Sequence, residues 1–184
     1  MGKLMNEIKN YKLKDFVIQD EQTIIDYVNL LQYVEPIPTT KEVFHLKLKH
    51  VDFIKEALTD NNDLMLIKII ALVQGITEIK VFEMPITLFF GLLNSVKEQI
   101  KIIAKAEQNT LASDIPNMKW ESVNGSERMN KFGIYNVLDN LADGDILKYE
   151  SILNLSYADV FTKLRMNKVK EDLTNEMNKI KTNV

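Results

Sequence analysis

A mainly α-helical, two-lobed protein with a minor β element is the fold class that this sequence predicts, on three observations. Apolar residues recur at three- and four-residue steps along most of the chain, while only the run 43–51 alternates with period two. The periodic segments break once, over 111–125, into a polar connector that separates an N-terminal lobe (1–110) from a C-terminal lobe (126–184). The chain has 184 residues, 46% of them hydrophobic. A chain of this size buries roughly 70% of its unfolded surface, enough for a real core.

The first helix starts behind Asp20 and Glu21, carries Ile24, Ile25, Val28 and Leu31 on one face, and stops before Pro36 and Pro38. Phe44, Leu46 and Leu48 then alternate with His45, Lys47 and Lys49, which predicts a strand near 43–49. Asp52 stands near a helix start. Phe53, Ile54, Ala57 and Leu58 form its face, and the cluster Thr59-Asp60-Asn61-Asn62-Asp63 ends it. An apolar helix from Leu64 to Val73 stops at Gly75, and Ile76–Met84 reads as a short helix or strand. Pro85 suits the first turn of a long helix, with Leu88, Phe89, Leu92, Leu93, Val96, Ile100 and Ile103 inward.

In the connector, 118–123 could form a strand that pairs with 43–49. Met129, Phe132, Tyr135, Val137, Leu138 and Leu141 suggest one helix ending at Gly144, followed by a short helical segment over Ile146–Leu153. Ser156 can cap a last helix whose discontinuous apolar stripe comprises Val160, Phe161, Leu164, Val169, Leu173, Met177 and Ile180.

Composition excludes several functions. With 23 basic against 26 acidic residues and a net charge of −3, the chain lacks the surplus of cations that coats nucleic acid nonspecifically. Zero cysteines remove disulfides, thiolate nucleophiles and iron–sulfur ligation. Asn6 stands where a myristoylation signal after Gly2 needs serine or threonine, and no apolar leader core follows. The apolar run 86–93 is far short of the ~20 residues of a membrane span, so a soluble, intracellular protein is expected.

Catalytic signatures are missing too. His45 and His50 are the only histidines, and their five-residue spacing gives no metal-ligand geometry. No Gly-x-Ser-x-Gly elbow poses a nucleophile, and the isolated glycines make no phosphate loop. The run Asp139 to Glu150 places acids at positions 1, 5, 7 and 12 of a calcium-loop pattern, with Gly144 at position 6, but Leu141 at position 3 offers no oxygen. The same residues read as a turn, with Asp145 accepting a backbone N–H of the next helix. No enzyme activity, cofactor or metal is expected.

Phe44 to Ala57, then Asn62-Asp63-Leu64, Ile69 to Ile79 and Met84-Pro85 to Phe89 together resemble the tail assembly chaperones and small baseplate-hub assembly proteins of tailed bacteriophages. The shared features span about residues 42 to 100: a short strand, a helix opened by Asp, an apolar helix ending in Gly-Ile, a short acidic stretch, and a helix introduced by a Leu-Pro-like pair. Tyr135 to Asp145 and Leu155 to Phe161 are similar to small phage structural proteins with a Leu-x-x-Gly-Asp turn.

The resemblance implies morphogenesis by protein contact, with tail-tube, tape-measure or baseplate proteins as partners and self-association open. No nucleic acid or membrane partner is implied. It places the protein in the host cytoplasm during assembly, with retention in the virion open. The alternative role is a structural subunit of the baseplate, neck or head-tail ring. Phe44, Trp120 and Tyr157 are the candidate contact residues. Calcium titration to millimolar concentration is expected to give no saturable heat, and saturable binding abolished by Asp143→Ala would refute that expectation.

Overall fold

The computed structural model describes residues 11–60, 63–112 and 118–182. Gly2 and Asn6, the turn residues Asn61 and Asn62, and connector positions 113–117 lie outside those residues. Among the described residues there are eleven α-helices and no strand, so the fold is mainly α. They are α1 (Leu13–Phe16), α2 (Glu21–Leu31), α3 (Leu48–Thr59), α4 (Asp63–Gln74), α5 (Glu78–Phe82), α6 (Ile86–Leu111), α7 (Met118–Glu121), α8 (Gly125–Asn130), α9 (Ile134–Ala142), α10 (Tyr149–Leu153) and α11 (Tyr157–Thr182). Short 3-10 turns cover Val43–His45 and Ile146–Lys148.

Several boundaries follow the local chemistry read from the sequence. Asp20 caps α2 by accepting from Thr23 N at 3.0 Å, and those hydrogen bonds hold its carboxyl below the usual range. Gly75 ends α4 at φ +66°, a conformation that glycine adopts without steric cost. Phe89 N donates to Pro85 O, so the proline sits where the first turn of α6 needs no N–H from it. Ser156 and Asp159 cap α11 reciprocally: Asp159 N donates to Ser156 Oγ at 3.2 Å, and the hydroxyl donates to Asp159 Oδ2 at 2.6 Å.

The chain forms two compact units: Met1–Val43 with Phe53–Ile102, and Phe44–Asp52 with Ile103–Val184. The division expected at 111–125 therefore differs from the one found, which passes through α6 between Ile102 and Ile103. A continuous 3.6-residue pattern carries α6 across that point, so no break in composition marks it.

In the first unit the core joins Leu13, Phe16, Leu31, Ile67, Ile70, Val81, Met84, Ile86, Phe89, Leu92 and Leu93, with Phe82 and Phe90 half-buried against it. The short helix α1 is fixed at its start by two backbone bonds, Leu13 N to Met84 O and Ile86 N to Tyr11 O. Glu83 accepts from Lys12 Nζ and Lys14 Nζ at 2.8 and 2.7 Å, and these two bonds pull its carboxyl down to about 2. Polar side chains of α6 serve the irregular segment 32–43. Asn94 Nδ2 donates to Val34 O, and Gln99 accepts from Val43 N while donating to Thr39 Oγ1. The segment's backbone groups thus find partners without a sheet.

The strand expected near 43–49 is corrected. Val43–His45 is a 3-10 turn, Lys47 makes one isolated antiparallel bridge to Ser156, and α3 already begins at Leu48. Leu46 and Leu48 are buried and Lys47 exposed, so the alternation in burial is real. Over so few residues, a turn leading into a helix produces the same alternation as a strand. The proposed partner strand is also absent, because 118–121 is helical.

Gly91, buried in α6, receives Ile37 N on its carbonyl at 2.9 Å. A Cβ there would stand 2.5 Å from Ile37 Cδ1 and 3.2 Å from Glu35 O. Gly91→Ala is expected to lower stability in urea unfolding by about 1 kcal/mol, because overpacking of about 1–3 kcal/mol exceeds the roughly 1 kcal/mol gain in helix propensity. A stabilised variant would contradict this close approach.

Candidate functional site

The second unit contains two clusters of aromatic residues, one closed and one open. The closed cluster holds two of the candidate contact residues. Phe44 meets Tyr157 edge to face at 5.6 Å and Phe161 at 5.9 Å, while Tyr157 and Phe161 lie nearly parallel at 6.0 Å. Tyr157 is only 3% exposed and Phe44 is half-buried. The Tyr157 hydroxyl donates to Glu107 Oε1 at 2.5 Å. Burial first, and then this bond to a carboxylate, raise its pKa far above the ordinary tyrosine value. A buried ring with its polar tip satisfied is occupied within its own unit.

The open cluster contains the third candidate, Trp120. A groove of about 620 Å³ is lined by Trp120, Ser126, Met129, Asn130, Phe132, Tyr135, Asn136, Asp139, Asn140 and Tyr149. These residues come from α7, α8, the turn after it, α9 and α10. Trp120, Met129, Phe132 and Tyr135 are 45, 41, 49 and 60% exposed. Tyr135 and Tyr149 approach at 6.3 Å between ring centres, and Lys131 Nζ stands 5.4 Å from the centre of the Phe132 ring.

Local sequence builds this groove through two glycines. Gly133 adopts φ +50° and separates α8 from α9. The single helix expected from Met129 to Gly144 is thereby split, and Phe132 and Tyr135 take groove positions while Leu138 goes to the core. Gly133 was the signal of the break, since glycine inside a helical pattern marks a turn. Gly125 lies directly against the Trp120 indole, where any Cβ would collide with the ring. The groove's polar wall is held by Tyr149 Oη donating to Asp139 Oδ1 at 2.9 Å, and this bond chiefly raises the Tyr149 pKa. The Ser126 hydroxyl donates to Glu121.

The other candidates are structural in place. Asp143 (φ +52°) and Gly144 (φ +77°) turn the chain, and Asp145 Oδ1 accepts from Leu147 N at 3.1 Å as the turn reading expected. His45 is exposed with its ring edge-on to Phe44, and His50 is half-buried in α3. Among the described residues, no three His, Cys, Asp or Glu gather to hold a metal ion, and no helix is long and apolar enough to cross a membrane. The chain matches no family model, no curated protein and no solved structure.

Trp120 is the only tryptophan, so tryptophan fluorescence, excited selectively at long wavelength, reports this groove alone. Gly125→Ala is expected to push the indole outward, shifting its emission to the red and increasing quenching by acrylamide, with helix content unchanged. Unchanged emission would mean that the indole does not rest on Gly125.

Proposed function

We propose that this protein acts by protein–protein contact in the assembly of a tailed-bacteriophage tail or baseplate, as a chaperone-like partner of tail-tube, tape-measure or baseplate proteins. The observation that carries the contact reading is the open aromatic groove of Trp120, Met129, Phe132 and Tyr135. Aromatic residues and methionine are enriched at protein interfaces, because they bury large apolar surfaces around few rotatable bonds. Asn130, Asn136, Asn140 and Asp139 add hydrogen-bonding groups along the same groove. Together they suit an extended or helical segment of another polypeptide, whose aggregation-prone apolar surface would be covered until it polymerises.

The phage setting rests on the likeness of residues 42–100 to the tail assembly chaperones. Two of its features have structural counterparts, the Gly75-Ile76 end of α4 and the Met84-Pro85 start of α6. The strand and the Asp-opened helix do not, since Asp52 lies inside α3. In this reading the groove does no catalysis and needs no cofactor.

The test is quantitative mass spectrometry of purified particles, paired with pull-downs from infected cells using the wild-type protein and Phe132→Ala and Tyr135→Ala variants. The expected result is absence from particles and capture of tail proteins, weakened about tenfold or more by either variant, which corresponds to about 1.4 kcal/mol or more. Stoichiometric presence in particles would instead identify a baseplate, neck or ring subunit. Capture of no tail protein would overturn the phage setting, and capture indifferent to both variants would overturn the groove.

A further inference from the structure

The helix α11 changes its apolar face halfway along. In its first half Tyr157, Val160 and Phe161 are buried in the second unit. Leu164, Asn167, Lys168 and Glu171 continue that side, lining a groove of about 580 Å³ with Val137 and Asn140 of α9. From Met166 onward the apolar residues are Met166, Val169, Leu173, Met177 and Ile180, all between 51% and 67% exposed. At about 100° per residue they fall within an arc of roughly 80°, centred about half a turn away from the Leu164 side. This stripe therefore points away from the groove that its own helix helps to form.

We infer that the second half of α11 pairs antiparallel with the same stripe of a second copy of this chain. The spacing of the stripe reads the same in both directions. Met166 and Ile180 lie seven residues either side of Leu173, and Val169 and Met177 lie four residues either side. An isologous two-fold contact requires this self-complementarity: Leu173 meets Leu173, Met166 meets Ile180, and Val169 meets Met177. The stripe exposes roughly 500 Å² per copy, so a pair would bury at most about 1,000 Å², the size of a weak, reversible contact. The pair closes at two copies and does not propagate into a ring. It is independent of the phage setting and of the Trp120 groove.

Sedimentation velocity of the full chain over about 5–200 µM, the range suited to so small an interface, is expected to show reversible dimerisation. Leu173→Asp should shift the midpoint at least tenfold to higher concentration, with helix content retained because the side chain is exposed. The absence of native cysteine makes orientation readable. Under mild oxidation, a mixture of Met166→Cys and Ile180→Cys chains should form the mixed disulfide dimer, while Met166→Cys alone should form little. A monomer throughout the range, a dimer insensitive to Leu173→Asp, or efficient self-crosslinking of Met166→Cys overturns the pairing. Co-sedimentation with anionic phospholipid vesicles that depends on Leu173, without dimerisation, overturns it in favour of a lipid surface.

Discussion

Tyr157 makes the contact on which the second unit depends. Its amide donates to Leu46 O at 2.8 Å, its ring packs on both Phe44 and Phe161, and its hydroxyl reaches Glu107. One residue thus gathers three stretches separated by 50 to more than 100 positions. Closing such loops has an entropic cost that grows only slowly with length, so a few buried rings and satisfied polar groups suffice to hold them. The neighbouring Lys47 bridge to Ser156 and the Leu48 amide on Leu155 O extend the same junction. With it in place, Phe44–Asp52 belongs to the second unit although the residues on both sides belong to the first.

The helical class was legible because it rests on local rules. Asp20, Gly75, Pro85 and Ser156 each act through groups within a turn of themselves, and each stands where its chemistry predicts. The 43–49 segment was not legible, because its backbone conformation is decided by partners near residue 156. Nothing within ten residues distinguishes a strand from a turn that leads into a helix. The division within α6 escaped for a related reason: a helix can keep its apolar period while the side chains it packs against change.

The candidate site was half legible. Trp120 stands out in the sequence as a large ring in polar surroundings, and it lines the open groove. Phe132 and Tyr135 read from the sequence as part of one helix ending at Gly144, which Gly133 breaks in two. Phe44 and Tyr157, candidate contact residues on the sequence, each meet aromatic partners within the second unit. Composition distinguishes rings from aliphatic residues, but whether a ring faces inward depends on packing that no short window contains. The last helix makes the same point over a longer span, since along the sequence its apolar residues form one discontinuous stripe and in the fold they form two on opposite faces.

The assignment of Phe44–Asp52 to the second unit has a consequence for synthesis on the ribosome. All of the first unit has been translated once Ile102 has been added. The segment 44–52, made early, must then wait for Tyr157 and Phe161, about 60 residues later. At about 5–20 residues per second that interval is roughly 3–12 s, long compared with the formation of helices. Until the last few residues of that stretch are added, Leu46 and Leu48 lack their backbone partners Tyr157 and Leu155. The nascent chain therefore presents its own transient apolar surface, and completing the second unit is a late event in the protein's biogenesis.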